Sequence, residues 1–161
     1  MKNLEDLFEH ELKDLYNAES QLIDALPQMK GKAVSDELKN AIEKHLAQTE
    51  EHKKRIANVC EELDIDPNGK TCKAMEGIVR EAKGFLEENA DEKVRDAGII
   101  AAAQRVEHYE IAGYGTAVRF AKELGHDNIA STLQKTLDEE YETDDILTEM
   151  AETRLNEKAI G

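Results

Sequence analysis

The stretch Gln104-Arg105-Val106-Glu107-His108-Tyr109-Glu110 decides how this chain is read, because it sets two carboxylates three residues apart on an apolar stripe. The stripe runs Ile100, Ala103, Glu107, Glu110, Tyr114, Ala117, Ala121, Leu124, in steps of three and four throughout. That spacing is one face of a long helix turned toward a core. Acids belong on the wet face. An ionised carboxylate buried on the dry face costs several kcal/mol unless something neutralises it. Glu107 and Glu110 are therefore either misplaced or hold a cation.

Working outward, other stripes show the same interruption. The first reads Phe8, Leu12, Leu15, Glu19, Leu22, Leu26. The second reads Leu38, Ile42, His45, Thr49, His52, Ile56, Val59, Leu63. The last reads Ala130, Leu133, Leu137, Glu140, Asp144, Leu147, Ala151, Leu155. Each is apolar at both ends and polar at mid-length, with the spacing of a bundle seam. Helices of similar length bring their middles to one height. Glu19, His45, His52, Glu107, Glu110, Glu140 and Asp144 are thus expected to converge. Five carboxylates converging without a metal would repel one another, and most would have to carry protons. Two divalent or trivalent cations remove the difficulty. An alternative phase of the last helix would present Glu139 and Glu142 instead, but it would turn Leu137 and Leu147 away from the core.

Punctuation in the sequence predicts helices over about 3–28, 36–63, 71–87, 91–124 and 127–156. Asn3, Ser35 and Asp91 are N-cap residues. Pro27 and Gly31 are expected to end the first helix, Asp64 to Gly69 is a turn, and Gly125 stops the fourth helix. Gly77 and Gly84 are expected to break up the short third helix. The long helices, at 1.5 Å per residue, reach about 40 Å. Short links pair the first two and the last two as antiparallel hairpins. The segment between the pairs is long enough to run the length of the bundle. The predicted fold is all-α: one domain, a four-helix bundle with one long crossover carrying a short fifth helix.

Composition agrees. The 161 residues are 35% charged and 40% hydrophobic, with two prolines and no tryptophan, which suits an all-helical protein. A net charge of -15 repels nucleic acid and anionic membranes, so neither is an expected partner. Met1-Lys2-Asn3-Leu4-Glu5-Asp6 lacks the apolar core of a signal peptide, and the uncharged run from Ala97 to Ala103 is too short to span a bilayer. A cytoplasmic protein is expected, with Cys60 and Cys72 as reduced, partly buried thiols. His10 and His126 are read as surface or loop residues, and His108 as pointing off the stripe. Tyr114 and Tyr16 stand one turn from Glu110 and Glu19, where a hydroxyl can bond a ligand carboxylate, though Tyr16 is read rather as an ordinary interior tyrosine.

One Glu from one helix, with Glu-x-x-His spacing on its neighbours, is the arrangement of ferritin-like di-iron proteins. Ala18-Glu19-Ser20-Gln21 and Glu51-His52-Lys53-Lys54-Arg55 resemble the first two helices of rubrerythrins, and Glu107-His108-Tyr109-Glu110 their third-helix Glu-x-x-Glu. The closer resemblance is to the YciF/YciE-like family of ferritin-like bacterial stress proteins. It rests on Leu15-Tyr16-Asn17-Ala18-Glu19, His45 through Thr49, and Cys72-Lys73-Ala74-Met75-Glu76-Gly77. It rests most on Gln104 through Gly115, and on Thr136-Leu137-Asp138-Glu139-Glu140. The resemblance implies a ferritin-like bundle that forms a homodimer and serves a stress response.

Carboxylates with one or two imidazoles suit iron or manganese, and zinc less well. Two such metals together can carry out a two-electron reaction with hydrogen peroxide or dioxygen. In that reading Glu19 and Glu140 are terminal ligands, Glu107 and Glu110 bridge or cap, and His52 supplies nitrogen. The chain departs from the di-iron pattern twice. Thr49 stands where the second helix should have Glu, and Thr143 where the last should have His. His45 and Asp144 are the nearest substitutes. An incomplete set also fits a metal-binding or stress-adaptor protein without turnover.

Overall fold

The computed structural model describes residues 1–160. Five helices carry the architecture: α1 (Leu4–Lys32), α2 (Asp36–Glu62), α3 (Lys73–Glu87), α4 (Glu92–Glu123) and α5 (Asp127–Met150). A π-helical turn, Ala151–Leu155, and a single turn α6 (Asn156–Lys158) follow. Among the described residues there is no strand, and no helix is long and apolar enough to cross a membrane.

Capping sets the helix starts. Asn3 accepts from the Asp6 amide, Ser35 from that of Leu38, and Asp91 from that of Lys93. Cys72 is the cap of α3, its sulfur facing the Met75 amide at 3.4 Å. The α4–α5 turn needs a left-handed residue, and Gly125 supplies it at φ 76°.

Two expectations about breaks are corrected. α1 runs through Pro27 to Lys32. A proline inside a helix lacks an amide bond and crowds the carbonyl four residues back, at a cost of about 3 kcal/mol, and here buried Ala25, Leu26 and Met29 hold the backbone in place on either side. α3 is likewise unbroken at Gly77 and Gly84. Each glycine weakens a helix by about 1 kcal/mol. Burial of Met75, Ala82 and Leu86 offsets that.

α1 packs against α2, α2 against α5, α5 against α4 and α4 against α1, while α3 lies over the α1–α4 edge. The core divides in two. One cluster joins the C-terminal half of α1 (Leu22, Leu26) to the N-terminal parts of α2 (Leu38, Ile42) and α4 (Ile99, Ile100) and the end of α5 (Leu147, Met150). The other joins Phe8, Leu12 and Leu15 to Ile56, Val59, Tyr114, Ala117, Ile129 and Leu133. This pairing of ends makes α1 antiparallel to α2 and α4, and parallel to α5. It is the up-down-down-up order that one long crossover produces, and the fold is a ferritin-like four-helix bundle.

One buried acid belongs to the fold alone. Asp96 on α4 accepts from the amides of Val34 and Ser35 at 2.8 Å each, and so ties the α1–α2 link to the neighbouring hairpin. Nothing in the stripes singles it out. Asp96→Ala leaves two amides without their acceptor, and we expect a loss of about 2–3 kcal/mol in chemical denaturation, with the helix content of the remaining folded protein unchanged.

Candidate metal centre

Between the two apolar clusters lies a polar waist. Glu19, Thr49, His52, Glu107, Glu110 and Glu140 are all at 0% exposure, with His45 at 5% and Thr143 at 9%. Each owes its position to the three-and-four spacing of its own helix, which keeps one face inward along the whole bundle.

Two groups of ligand atoms form within this waist. His45, Glu107, Glu110 and Glu140 make one, and Glu19, His52 and Glu140 the other, with the atoms of each group within 4.8 Å of one another. Glu140 stands in both, where the sequence reading had it at one metal only. Six of the seven expected ligands are thus brought together. Asp144 is not. It lies at the rim, half-buried, with Oδ2 3.2 Å from His108 Nε2 and Oδ1 3.5 Å from Gln104 Nε2. α5 turns Thr143 inward in its place.

The contacts inside the waist are close but not aligned as hydrogen bonds. His52 Nδ1 is 2.8 Å from Glu140 Oε1 and 3.6 Å from Glu19 Oε1, and His45 Nε2 is 3.2 Å from Glu107 Oε1. Yet both oxygens of Glu107, Glu110 and Glu140, Glu19 Oε2, His52 Nδ1 and both nitrogens of His45 lack a hydrogen-bond partner. No buried side-chain polar atom elsewhere among the described residues is left this way. Buried polar atoms are nearly always satisfied. Buried atoms of this kind that crowd together without aligned hydrogen bonds could hold a metal ion between them.

The surrounding contacts orient this set. His52 turns Nε2 outward to Glu139 Oε2 at 2.7 Å, and Arg55 grips the same carboxylate at 2.6 and 3.1 Å. An imidazole held by a carboxylate on one nitrogen presents the other to a metal. The Tyr114 hydroxyl donates to Glu19 Oε1. Glu139, weighed from sequence only as a ligand in another phase, is instead the partner of His52. Its signal was the Arg55 three residues after His52.

Thr49 and Thr143 turn their hydroxyls to their own helices, to the carbonyls of His45 (2.9 Å) and Glu139 (3.0 Å). Other candidates lie outside the site. His108 is largely exposed, His10 meets Lys70 at 2.6 Å, and His126 stacks on Phe8. Tyr16 lies beneath Lys53 rather than on a ligand. Both cysteines are free and buried, with Cys72 Sγ 2.9 Å from the Tyr109 hydroxyl.

Burial is the first influence on every acid in the waist. With the Glu140 charge it lifts Glu19 to about 8, against His52 and the Tyr114 hydroxyl. Burial, then Glu140, pushes Glu107 well above the usual carboxylate range, and burial, then Glu19, does the same to Glu110. Burial also raises Glu140, but His52 and then His45 outweigh it and hold that carboxyl below the usual range. Burial would lower His52, yet Glu140, Glu19 and Glu139 raise it to about 9. His45 is lowered, chiefly by burial. Without a cation, burial therefore favours the protonated forms of Glu19, Glu107 and Glu110, and His52 faces Glu140 as an internal ion pair. Four ionised carboxylates would balance two divalent cations, so the donor set fits such a pair.

Residues 3–160 match the family described as a domain of unknown function, DUF892. Protein YciF of Escherichia coli K12 is 43% identical over 160 residues, covering 99% of this chain and 96% of that protein. The crystal structure of the E. coli stress protein YciF superposes with a TM-score of 0.93 at 43% identity, covering 97% of this chain and 99% of that one. YcfI of Rhodopseudomonas palustris, supposed there to be a structural protein, gives 0.89 at 41% identity, covering 92% and 94%. A Xanthomonas campestris protein at 20% identity, covering 98% and 96%, shares the fold with a TM-score of 0.78. The chain belongs to the DUF892 family, with YciF as a close relative.

The stored protons give a pH signature. Glu19 binds its proton up to about pH 8 when folded but loses it near 4.5 when unfolded, and His52 holds its proton to about 9 against 6.5. Between pH 6.5 and 9 the folded state therefore binds more protons than the unfolded, and stability falls as pH rises. The shifts of His45 and Glu140 act below that window, since both are lowered. The melting temperature of chelator-treated protein should fall from pH 6.5 to 9, and saturating metal should flatten the slope. A melting temperature that rises across this window in the chelator-treated protein would show that the acids are not buried as described.

Proposed function

We propose that this member of the DUF892 family is a carboxylate-bridged two-metal stress protein, of iron or manganese, that reacts with peroxide or dioxygen. The observation that carries the reading is the pair of ligand groups sharing Glu140, most of whose buried oxygens and nitrogens have no hydrogen-bond partner. Glu19 and His52 would hold one metal, and His45, Glu107 and Glu110 the other. Mixed carboxylate and imidazole donors suit iron and manganese, with zinc a weaker fit. Such a pair, when bound, supplies two electrons to an O–O bond.

The rest of the chemistry belongs to the chain. Glu139 and Arg55 keep the Nδ1 face of His52 turned to the site. The Tyr114 hydroxyl steadies Glu19 and is placed to pass a proton to it. The apolar clusters above and below keep water out and strengthen every charge interaction between them. The sequence carries no flavin, haem or nicotinamide motif, so the reductant comes from a partner or from the substrate itself. The reading includes a homodimer, which light scattering on the purified protein tests.

A second reading, metal binding without turnover, has its own support. Thr49 and Thr143 replace two ligands of the di-iron pattern, and their hydroxyls are already engaged by their own helices. A Rhodopseudomonas relative supposed to be structural is compatible with it.

Metal analysis of protein purified without chelator separates these readings, followed by peroxide addition under optical and EPR observation. About two iron or manganese ions per chain and a peroxide-dependent change support the first. Bound metal that is inert to peroxide supports the second, and a protein that takes up no metal excludes both. Glu140→Ala should lose both ions, because both groups depend on it, whereas His52→Ala should lose mainly the one it shares with Glu19.

A further inference from the structure

A cavity of about 240 Å³ opens between α2 and α5 and ends at the metal centre. Its walls are Leu26, Ile42, Ala103, Ile146 and Leu147, and are almost wholly carbon. Its floor is His45, Glu107 and Thr143. Exposed Asn40 and Lys44, with half-buried Gln48, form a polar rim, and Lys44 pairs across the mouth with Glu142 on α5 at 2.9 Å.

The shape of this space follows from one departure in the sequence. Thr143 stands where the di-iron pattern has a histidine, and it lines the cavity. An imidazole there would project into the space and close it against Glu107. The small side chain, its hydroxyl turned back to the Glu139 carbonyl, leaves room beside the ligands instead.

We infer that this cavity is a substrate chamber that holds the hydrocarbon part of a small, neutral organic molecule, with its polar end at His45 and Glu107. Resting on the peroxide reading above, the molecule is an alkyl or aryl hydroperoxide. Three observations select it. The carbon walls hold water poorly, and apolar cavities of about 150 Å³ already take benzene. The floor offers atoms of His45 and Glu107 that lack hydrogen-bond partners, so a polar head is met there. A net charge of -15 disfavours an anionic ligand. Hydrogen peroxide alone would need no apolar chamber. Two reduced metals held by these ligands would supply the two electrons that cleave the O–O bond of the hydroperoxide, which with two protons from solvent would give the alcohol and water.

The probe is cumyl alcohol, the unreactive product analogue of an aryl hydroperoxide, titrated into the metal-free full-length protein by ligand-observed NMR. Saturable binding is expected, weakened about tenfold or more in Ala41→Phe, which puts a ring into the chamber at its outer side. Ala41→Ser should bind as the native chain does. Thermal melts and metal uptake confirm that each variant is folded, and Ile146→Phe serves if Ala41→Phe is not. Absence of saturable binding, or equal binding by a folded ring-filled variant, overturns the chamber whatever the protein does with peroxide. Binding that the ring abolishes, in a metal-loaded protein inert to both cumene hydroperoxide and hydrogen peroxide, upholds the chamber and removes the peroxide reading.

Discussion

Everything in this bundle is arranged around four carboxylates that the fold takes out of water. Glu19, Glu107, Glu110 and Glu140 are fully buried at its waist, between two apolar clusters. Two states make that tolerable. The acids can keep protons, as burial drives Glu19, Glu107 and Glu110 to do, or they can be neutralised by cations. His52 makes the first state workable by carrying the charge opposite Glu140. Two divalent ions make the second neutral without protons. The same side chains could thus serve an empty site and a loaded one, and loading would exchange protons for metal.

The fold pays for this waist with the rest of its length. Above and below, α1, α2, α4 and α5 present leucine, isoleucine and alanine in steps of three and four, and the long crossover leaves α3 to seal the α1–α4 edge. The opposite edge, where α2 meets α5, is the more loosely packed one, and there the cavity reaches His45 and Glu107. The cavity on this edge gives the buried centre a direction of approach. Asp96 serves the same architecture by holding the α1–α2 link to α4.

Much of the site was legible because an acid on an apolar stripe is a local anomaly that needs no coordinates to notice. Glu19, Glu107, Glu110 and Glu140 fall on stripes with unambiguous flanks. The sequence favours Asp144 over Thr143 because an aspartate is a ligand and a threonine rarely is. Helical geometry does not share that preference: positions 143 and 144 lie either side of one stripe, and in the folded bundle α5 turns Thr143 inward and leaves Asp144 at the rim. Glu139 was hidden for a related reason. Its role depends on where His52 Nε2 and Arg55 end up across the α2–α5 contact, a relation between helices rather than along one. Pro27, Gly77 and Gly84 were over-read as breaks, since their local penalties of about 1–3 kcal/mol are smaller than the burial that surrounds them.

The amino-acid sequence by itself determined the all-helical fold, its hairpin–crossover–hairpin order and the convergence of carboxylates and histidines at one height. Each of these follows from periodicity, capping and length, which act along a single chain segment. Only the tertiary structure decided that Glu140 belongs to both ligand groups, that Glu139 and Arg55 hold His52, and that Thr143 leaves a cavity beside Glu107. Those facts are distances between side chains on different helices, and they are set by how the helices rotate and cross when the two apolar clusters close around the waist.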